Sequence, residues 1–311
     1  MYKFLIKRLL LMIPVLLGIS MIIFTIISLT PGNPGKIILG ELAEPEAVIA
    51  MNNKLGYYDP LPVKYLRYMA NLLRGDFGDS YRSRGNVLID IKLRLPVTLL
   101  LTTLITAIVA FTAIPMGVVS AVKKGSLLDN MGTIIALVLL AMPTFWLGLL
   151  LMLFFSLYLN LLPATGSDKL VNFILPSITI ATCSIAQIMR MTRSSMLEVI
   201  RQDYIRTALA KGANDSVIIW RHAIRNALLP VVTTLGNNFG NILGNSIITE
   251  TVFGMSGIGT FMLNGIRGKD IPVVMGSVMV LAFLFSVVTL IVDLSYGFID
   301  PRIKAQYVRK V

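Results

Sequence analysis

Six stretches of this chain run for twenty or more residues without a charged side chain: Leu9 to Thr30, Leu95 to Val122, Asn130 to Ser167, Leu170 to Met189, Asn226 to Thr249 and Ile271 to Val292. A helix needs about 20 mostly apolar residues to cross a hydrocarbon layer about 30 Å thick, and each of the six is long enough. The chain is 55% apolar and only 14% charged, with a mean hydropathy of +0.78, a balance foreign to a water-soluble domain. Between Val273 and Val292 alone stand 13 Leu, Ile, Val or Phe residues. Their insertion is favoured by roughly 4 to 8 kcal/mol in sum, which outweighs the few hydroxyls among them. The sequence therefore predicts an all-α integral membrane protein with six transmembrane helices. The third stretch has room for a helix and an outer loop at Leu162-Pro163-Ala164-Thr165-Gly166.

Lysine and arginine set the direction of insertion. Lys3, Lys7 and Arg8 precede the first stretch, which predicts a cytoplasmic N-terminus; six crossings return the C-terminus to the same side, with Arg302, Lys304, Arg309 and Lys310. Lys123, Lys124, Arg190, Arg193, Arg201, Arg206, Lys211, Arg221 and Arg225 fall on that side too, against Lys169, Arg267 and Lys269 in the two short outer loops. The formal charge of +12 is thus accounted for by the membrane topology, and no nucleic-acid partner is expected. The first apolar run is longer than a signal-peptide core and lacks a clear small-residue cleavage site, so it reads as a retained helix.

Two polar segments divide the chain. Residues 1–94 comprise the first helix and a large external loop, about 31–94; residues 95–311 form a five-helix core with a cytoplasmic loop at about 192–225. In the first polar segment, Leu66, Met69, Ala70 and Leu73 recur at helical spacing and predict a short amphipathic helix at the outer rim. In the second, Asp203 to Gly212 is helix-compatible and closes on a glycine suited to a C-terminal cap. Ile205, Ala208 and Leu209 share a face, and Ala208, Ala210 and Gly212 are small enough for another surface to approach closely. Such a helix suits docking into a partner's groove, and the spacing fits a solvated loop helix equally well.

These residues carry a resemblance. Asp203-Tyr204-Ile205-Arg206-Thr207-Ala208-Leu209-Ala210-Lys211-Gly212, followed by Arg221-His222-Ala223-Ile224-Arg225-Asn226-Ala227-Leu228-Leu229-Pro230, resembles the coupling-loop signature of the permease subunits of binding-protein-dependent ABC importers, in their dipeptide, oligopeptide and nickel branch. Arg94-Leu95-Pro96-Val97-Thr98, Leu162 to Gly166, Glu250-Thr251-Val252-Phe253, Gly257-Ile258-Gly259 and Asp300-Pro301-Arg302 look like further landmarks of that branch, in order. The resemblance implies a transporter subunit and not an enzyme, inserted in membrane lipid. It also implies a second homologous permease chain, two cytoplasmic ATPase subunits and an extracytoplasmic substrate-binding protein. Asp203, Tyr204, Arg206, Thr207, Ala208, Ala210, Lys211 and Gly212 would couple to the ATPase. Asp203 stands where many members carry glutamate, which keeps the charge. ATP and magnesium would sit in the partner subunits, with no cofactor held by this chain. The two Gly-Lys pairs, Gly35-Lys36 and Gly268-Lys269, are followed by Ile37 and Asp270 in place of the hydroxyl residue of a P-loop. The implied cargo is a di- or oligopeptide, with nickel complexes or glutathione as alternatives in the same branch.

In the fifth stretch Gly236, Gly240 and Gly244 recur every four residues, as do Asn237, Asn241 and Asn245, so each set follows one helix face. The glycines predict close helix packing. Carboxamides are costly in hydrocarbon, so Asn237, Asn238, Asn241 and Asn245 should face protein or a wet path, where they contact substrate or simply bond between helices. Gln187 in the fourth stretch raises the same question. Other classes fare poorly. The one histidine, His222, lies on the cytoplasmic loop, and there is neither a Gly-x-Ser-x-Gly nor a His-Glu-x-x-His pattern for an intramembrane hydrolase. An ion-coupled secondary transporter would hold an ionisable group near a broken helix, and none lies beside Pro115 or Pro143.

Overall fold

The structure is a computed structural model that describes residues 2–299. Arg302, Lys304, Arg309, Lys310 and the Asp300-Pro301-Arg302 landmark lie outside the described residues. The order is α1 (Tyr2–Leu29), α2 (Pro34–Leu39), α3 (Pro45–Leu55), α4 (Leu61–Leu73), α5 (Val87–Val122), α6 (Leu127–Ala141), α7 (Thr144–Leu151), α8 (Ile174–Ile200), α9 (Asp203–Ala210), α10 (Asp215–Val217), α11 (Ile224–Val252), α12 (Ile258–Gly268) and α13 (Ile271–Ile299). No strand occurs among the described residues, only an isolated bridge between Asp79 and Asn86. Among these residues four helices are long and apolar enough to cross a membrane: α1, α5, α8 with the short turn before it, and α13. Taken together, α6 and α7 with the turn after it raise the number to five. At 29 residues, α11 is long enough, and its asparagines hold it below the hydropathy of the others.

The third apolar stretch is not one straight helix. Between α6 and α7 the axis turns by 101°. Pro143 sits at the corner; it has no amide hydrogen to continue α6, and its own carbonyl accepts the Leu147 amide at 3.1 Å to start α7. From Met152 to Tyr158 the helix then widens into π geometry, with Phe154 and Tyr158 stacked one turn apart. Proline alone does not produce such a break, because α5 runs unbroken through Pro96 and Pro115.

The chain forms two compact units. One takes in Leu5–Thr98 and Ser256–Ser286. In it α4 forms where its periodicity predicts; Leu66 and Leu73 are exposed, and the aromatic side packs against α1. Tyr65 and Tyr68 close on the Phe24 ring of α1 at 5.5 and 5.9 Å, and the Tyr65 hydroxyl lies 2.8 Å from the buried Ser20 hydroxyl. Val87 and Ile91 of α5 bury against Ile258 and Val273. Asp270 caps α13 through the Val274 amide and accepts the Ser80 hydroxyl at 2.6 Å, which folds the 80–85 loop against the helix start. Burial, and then the Asp270 carboxylate, push the nearby Tyr81 phenol up to about 12.

The other unit takes in Leu99–Met255 with residues 2–4 and 287–299. Its centre is α8, against which α6, α7 and α11 pack. The buried face of α8 is rich in small and hydroxyl residues, among them Ser177, Thr179, Ala181, Ser184 and Ala186, so neighbouring backbones come close. At Gly117 of α5 the approach to α8 is tighter still: a methyl group there would stand 2.5 Å from Cβ of Thr192.

An ion pair closes one end of this unit. Arg193 of α8 grips Asp129 of α6 through Nε at 2.7 Å and Nη2 at 2.8 Å. The same carboxylate accepts the Ser120 hydroxyl of α5 and the Gly125 amide, the latter at 2.9 Å. Asp129 is 2% exposed, so its charge is tolerable only because four donors surround it. Replacing it by asparagine leaves Arg193 half-enclosed without a counter-charge. Asp129→Asn should therefore lower the unfolding temperature of the detergent-purified protein by several degrees, measured by intrinsic fluorescence, whereas Leu127→Ala on the exposed side of the same turn should leave it unchanged.

An exposed loop helix tied to the spans, and a face of asparagines

The segment predicted to couple to a partner is a helix with one buried anchor. Asp203 to Ala210 forms α9, the Thr207 hydroxyl donates to the Asp203 carbonyl at 2.9 Å, and Lys211 follows as the C-cap. Gly212 then takes φ +79°, the left-handed region open to glycine, and its surroundings are empty within 4 Å of where a side chain would begin. Asp203, Tyr204, Arg206, Thr207, Ala210, Lys211 and Gly212 are all exposed. The face that the sequence assigned jointly to Ile205, Ala208 and Leu209 divides: Ile205 is buried, Ala208 is half-buried, and Leu209 is 49% exposed. The Asp203–Arg206 contact, 3.8 Å and open to solvent, contributes little.

What holds α9 is Ile205. Its side chain enters a buried cluster with Val118 and Ala121 of α5, Met196 of α8, and Ile218, Ala223 and Ala227 leading into α11. Tyr204 adds a polar tie, accepting the Asn226 amide nitrogen of α11 at 2.8 Å. Between α9 and α11 the chain turns through α10, capped by Asn214, and a π-helical turn at Ile218–Ala223 that merges with α11. A force on α9 thus reaches three long helices through a single packed cluster. Around α9 the exposed apolar groups are Leu209, Val217 and Trp220, beside the small Ala210 and Gly212.

The asparagines divide by face. Asn237, Asn241 and Asn245 are exposed along one stripe of α11, and Gly244 and Ile248 are exposed beside them. Asn238 points the other way, is buried, and its Nδ2 has no hydrogen-bond partner among the described residues. The glycines divide as well. Gly236 lies so close to α13 that a methyl group there would overlap Val292, whereas Gly244 has open space around it. Gln187 is exposed on α8 and makes no hydrogen bond to these asparagines. Sequence reasoning missed the Asp129–Arg193 pair, having counted Arg193 only as a topology charge. The one available sign was an acid at the mouth of the third apolar stretch, followed 64 residues later by an arginine near the end of the fourth.

An apolar helical chain with an exposed loop helix wired to its spans is the layout of a membrane transport subunit. Residues 113–305 match the family described as binding-protein-dependent transport system inner membrane component, and residues 1–102 match its N-terminal membrane component. The chain belongs to this family, and it is a multi-pass inner-membrane protein. It is 40% identical over 98% of its length to the dipeptide transport system permease protein DppB of Alkalihalophilus pseudofirmus, all of which is covered. It is 37% identical over 98% of its length to the glutathione transport system permease protein GsiC of Pectobacterium atrosepticum, covering 99% of that protein. Among solved structures, an inward-facing MetNI methionine ABC transporter chain superposes with a TM-score of 0.57 at 18% identity, over 68% of this chain and 96% of that one, a likeness of fold.

The buried anchor has a measurable consequence. Ile205→Ala removes a side chain that is 1% exposed, at a cost of about 2 to 5 kcal/mol for an isoleucine cut to alanine in a packed site. Limited proteolysis should cut the 203–217 segment of this variant much faster than that of the unsubstituted protein, while the Asp203→Asn variant on the solvent side should be cut at the original rate.

Proposed function

We propose that this chain is a permease subunit of an ATP-driven importer for di- and oligopeptides. It pairs with a second homologous permease, crosses the membrane six times with both termini in the cytoplasm, and receives cargo from an extracytoplasmic substrate-binding protein. ATP and magnesium are held by two cytoplasmic ATPase subunits, whose grooves take α9 at Asp203, Tyr204, Arg206, Thr207, Ala208, Ala210, Lys211 and Gly212. The observation that carries the cargo is the 40% identity, end to end, with a dipeptide permease. The observation that supports the coupling role is the exposure of α9 together with the Ile205 cluster, which joins it to α5, α8 and α11. Closure of the ATPase pair would move α9, and the cluster would pass that movement to the spans as a switch between inward and outward access.

The exposed stripe on α11 supports the second permease and a wet path. Carboxamides at Asn237, Asn241 and Asn245 are too costly to leave against lipid, so protein or water covers them. In this reading they, with Asn238 and Gln187, line part of the route and exchange hydrogen bonds with the peptide groups of passing cargo. Glutathione is the second reading, favoured by the 37% identity with a glutathione permease; it is itself a small peptide, and the same route would serve it.

The decisive test is uptake of labelled di- to pentapeptides, glutathione and nickel in cells with and without the chain. Loss of energy-dependent peptide uptake is the expected result, and loss of nickel uptake alone would sink the cargo assignment. Two substitutions test the parts. Ala208→Glu should leave membrane insertion intact and reduce co-purification of the ATPase about tenfold or more, as a bulky charge at a packed protein contact would. Asn241→Leu should assemble normally and slow peptide uptake several-fold; unchanged uptake would remove the asparagine stripe from the route.

A further inference from the structure

A cavity of about 500 Å³ lies wholly within the unit formed by Leu5–Thr98 and Ser256–Ser286, on the side that the proposed topology places outside. This volume falls in the range of about 300 to 1,000 Å³ that takes small-molecule ligands. Much of its lining is apolar, with Phe24 from α1, Met51 and Leu55 from α3, Phe77, and Pro272 from α13. Its charged lining is of both signs, and most of those charges are already engaged. Arg67 pairs with Asp59 at 2.7 Å, Arg84 donates to the Ile38 carbonyl at 2.9 Å, and Lys64 donates to the Tyr57 carbonyl at 3.1 Å. Asp76 accepts the Gly78 amide at 2.9 Å.

Two charges of the lining are left over. Lys54 and Asp79 are exposed at the rim of the cavity, and among the described residues their side chains form neither a hydrogen bond nor an ion pair. A third group is also unspent: the Tyr68 hydroxyl is buried in the same lining and has no hydrogen-bond partner. Burial pushes this phenol well above its ordinary value, so it stays a neutral donor at any physiological pH. A buried hydroxyl without a partner is unfavourable, and a ligand that supplies an acceptor relieves it.

Among the described residues of the lining, an unbonded cation, an unbonded anion and one buried unpartnered hydroxyl in an apolar-walled cavity complement a zwitterion with a polar middle. We propose that this cavity is a reception site for short peptides on the permease itself, which rests on the cargo assignment above. Lys54 takes the peptide's terminal carboxylate, Asp79 its terminal ammonium and Tyr68 a carbonyl of the peptide group, while the aromatic and aliphatic lining accepts the side chains.

The test uses the assembled importer, purified through this chain into nanodiscs without its external binding protein, and titrated with radiolabelled glycyl-leucine by equilibrium dialysis. Saturable binding is expected for the unsubstituted importer. It should weaken about tenfold or more in Lys54→Gln and in Asp79→Asn, the loss of about 1.4 kcal/mol or more that one charge-assisted hydrogen bond represents, and by less in Tyr68→Phe. N-acetylated glycyl-leucine should bind the unsubstituted importer as weakly as the free dipeptide binds Asp79→Asn. Binding that is unchanged in both charge variants overturns the site. So does a lack of binding in a preparation that imports the same peptide once the binding protein is added, and in either case the cargo assignment stands. A preparation that imports no peptide overturns the cargo assignment instead, and saturable binding lost in both variants would still support the cavity. A phospholipid that co-purifies with the unsubstituted importer and is lost from both variants, detected by mass spectrometry, would make a lipid headgroup the occupant and overturn the proposal.

Discussion

The pairing of Asp129 with Arg193 is the interaction on which one half of this protein turns. A carboxylate that is 2% exposed in so apolar a chain would be intolerable alone. It persists because Arg193 meets it with two parallel hydrogen bonds and because Ser120 and Gly125 fill its remaining acceptor sites. The result joins the end of α5, the start of α6 and the last turns of α8 at one point. That junction lies on the same helices that hold the docking helix, since Val118 and Ala121 of α5 and Met196 of α8 make the cluster that buries Ile205. Polar and apolar contacts thus fasten α9 to the ends of α5 and α8 in one packed region.

The docking helix divides its labour by side-chain size and direction. Ile205 points inward and fastens it, Tyr204 adds a hydrogen bond to α11, and almost everything else on it faces outward. Short helices are unstable alone, and eight residues are well below the length at which propensity suffices. The packing of one isoleucine is what allows an exposed surface to be presented in a fixed geometry. The π-helical turn at Ile218–Ala223 follows directly and places its wider backbone where the loop becomes a span.

The asparagines of α11 present the reverse case, in which polar groups are left uncovered. Three of them form a continuous stripe, and a single chain in lipid has nothing to offer it. The second unit has its own polar economy: Asn52 is buried at 0% exposure, gives its amide nitrogen to Asn33 at 2.9 Å and accepts the Gly35 amide at 2.8 Å, so the start of α2 is tied to α3. Around this framework lies the cavity whose leftover charges are Lys54 and Asp79.

How much of this was legible in the sequence depends on the range of the physics involved. The apolar stretches, the docking helix from Asp203 to Ala210, the glycine that ends it and the common face of Asn237, Asn241 and Asn245 all follow from local periodicity and from the cost of burying polar groups, which act along a single segment. The sharp corner at Pro143 was harder, because α5 carries Pro96 and Pro115 without breaking. α4 was legible as a helix, but not which side packs: Tyr65 and Tyr68 meet Phe24, while Leu66 and Leu73 stay exposed. By itself, then, the sequence determined which segments are helical and which of them are long and apolar. Only the tertiary structure decided that Asp129 meets Arg193, that Ile205 and not Leu209 anchors α9, and that Gly236 packs while Gly244 does not. Those outcomes depend on residues far apart in the chain arriving at one place, and no local pattern carries that information.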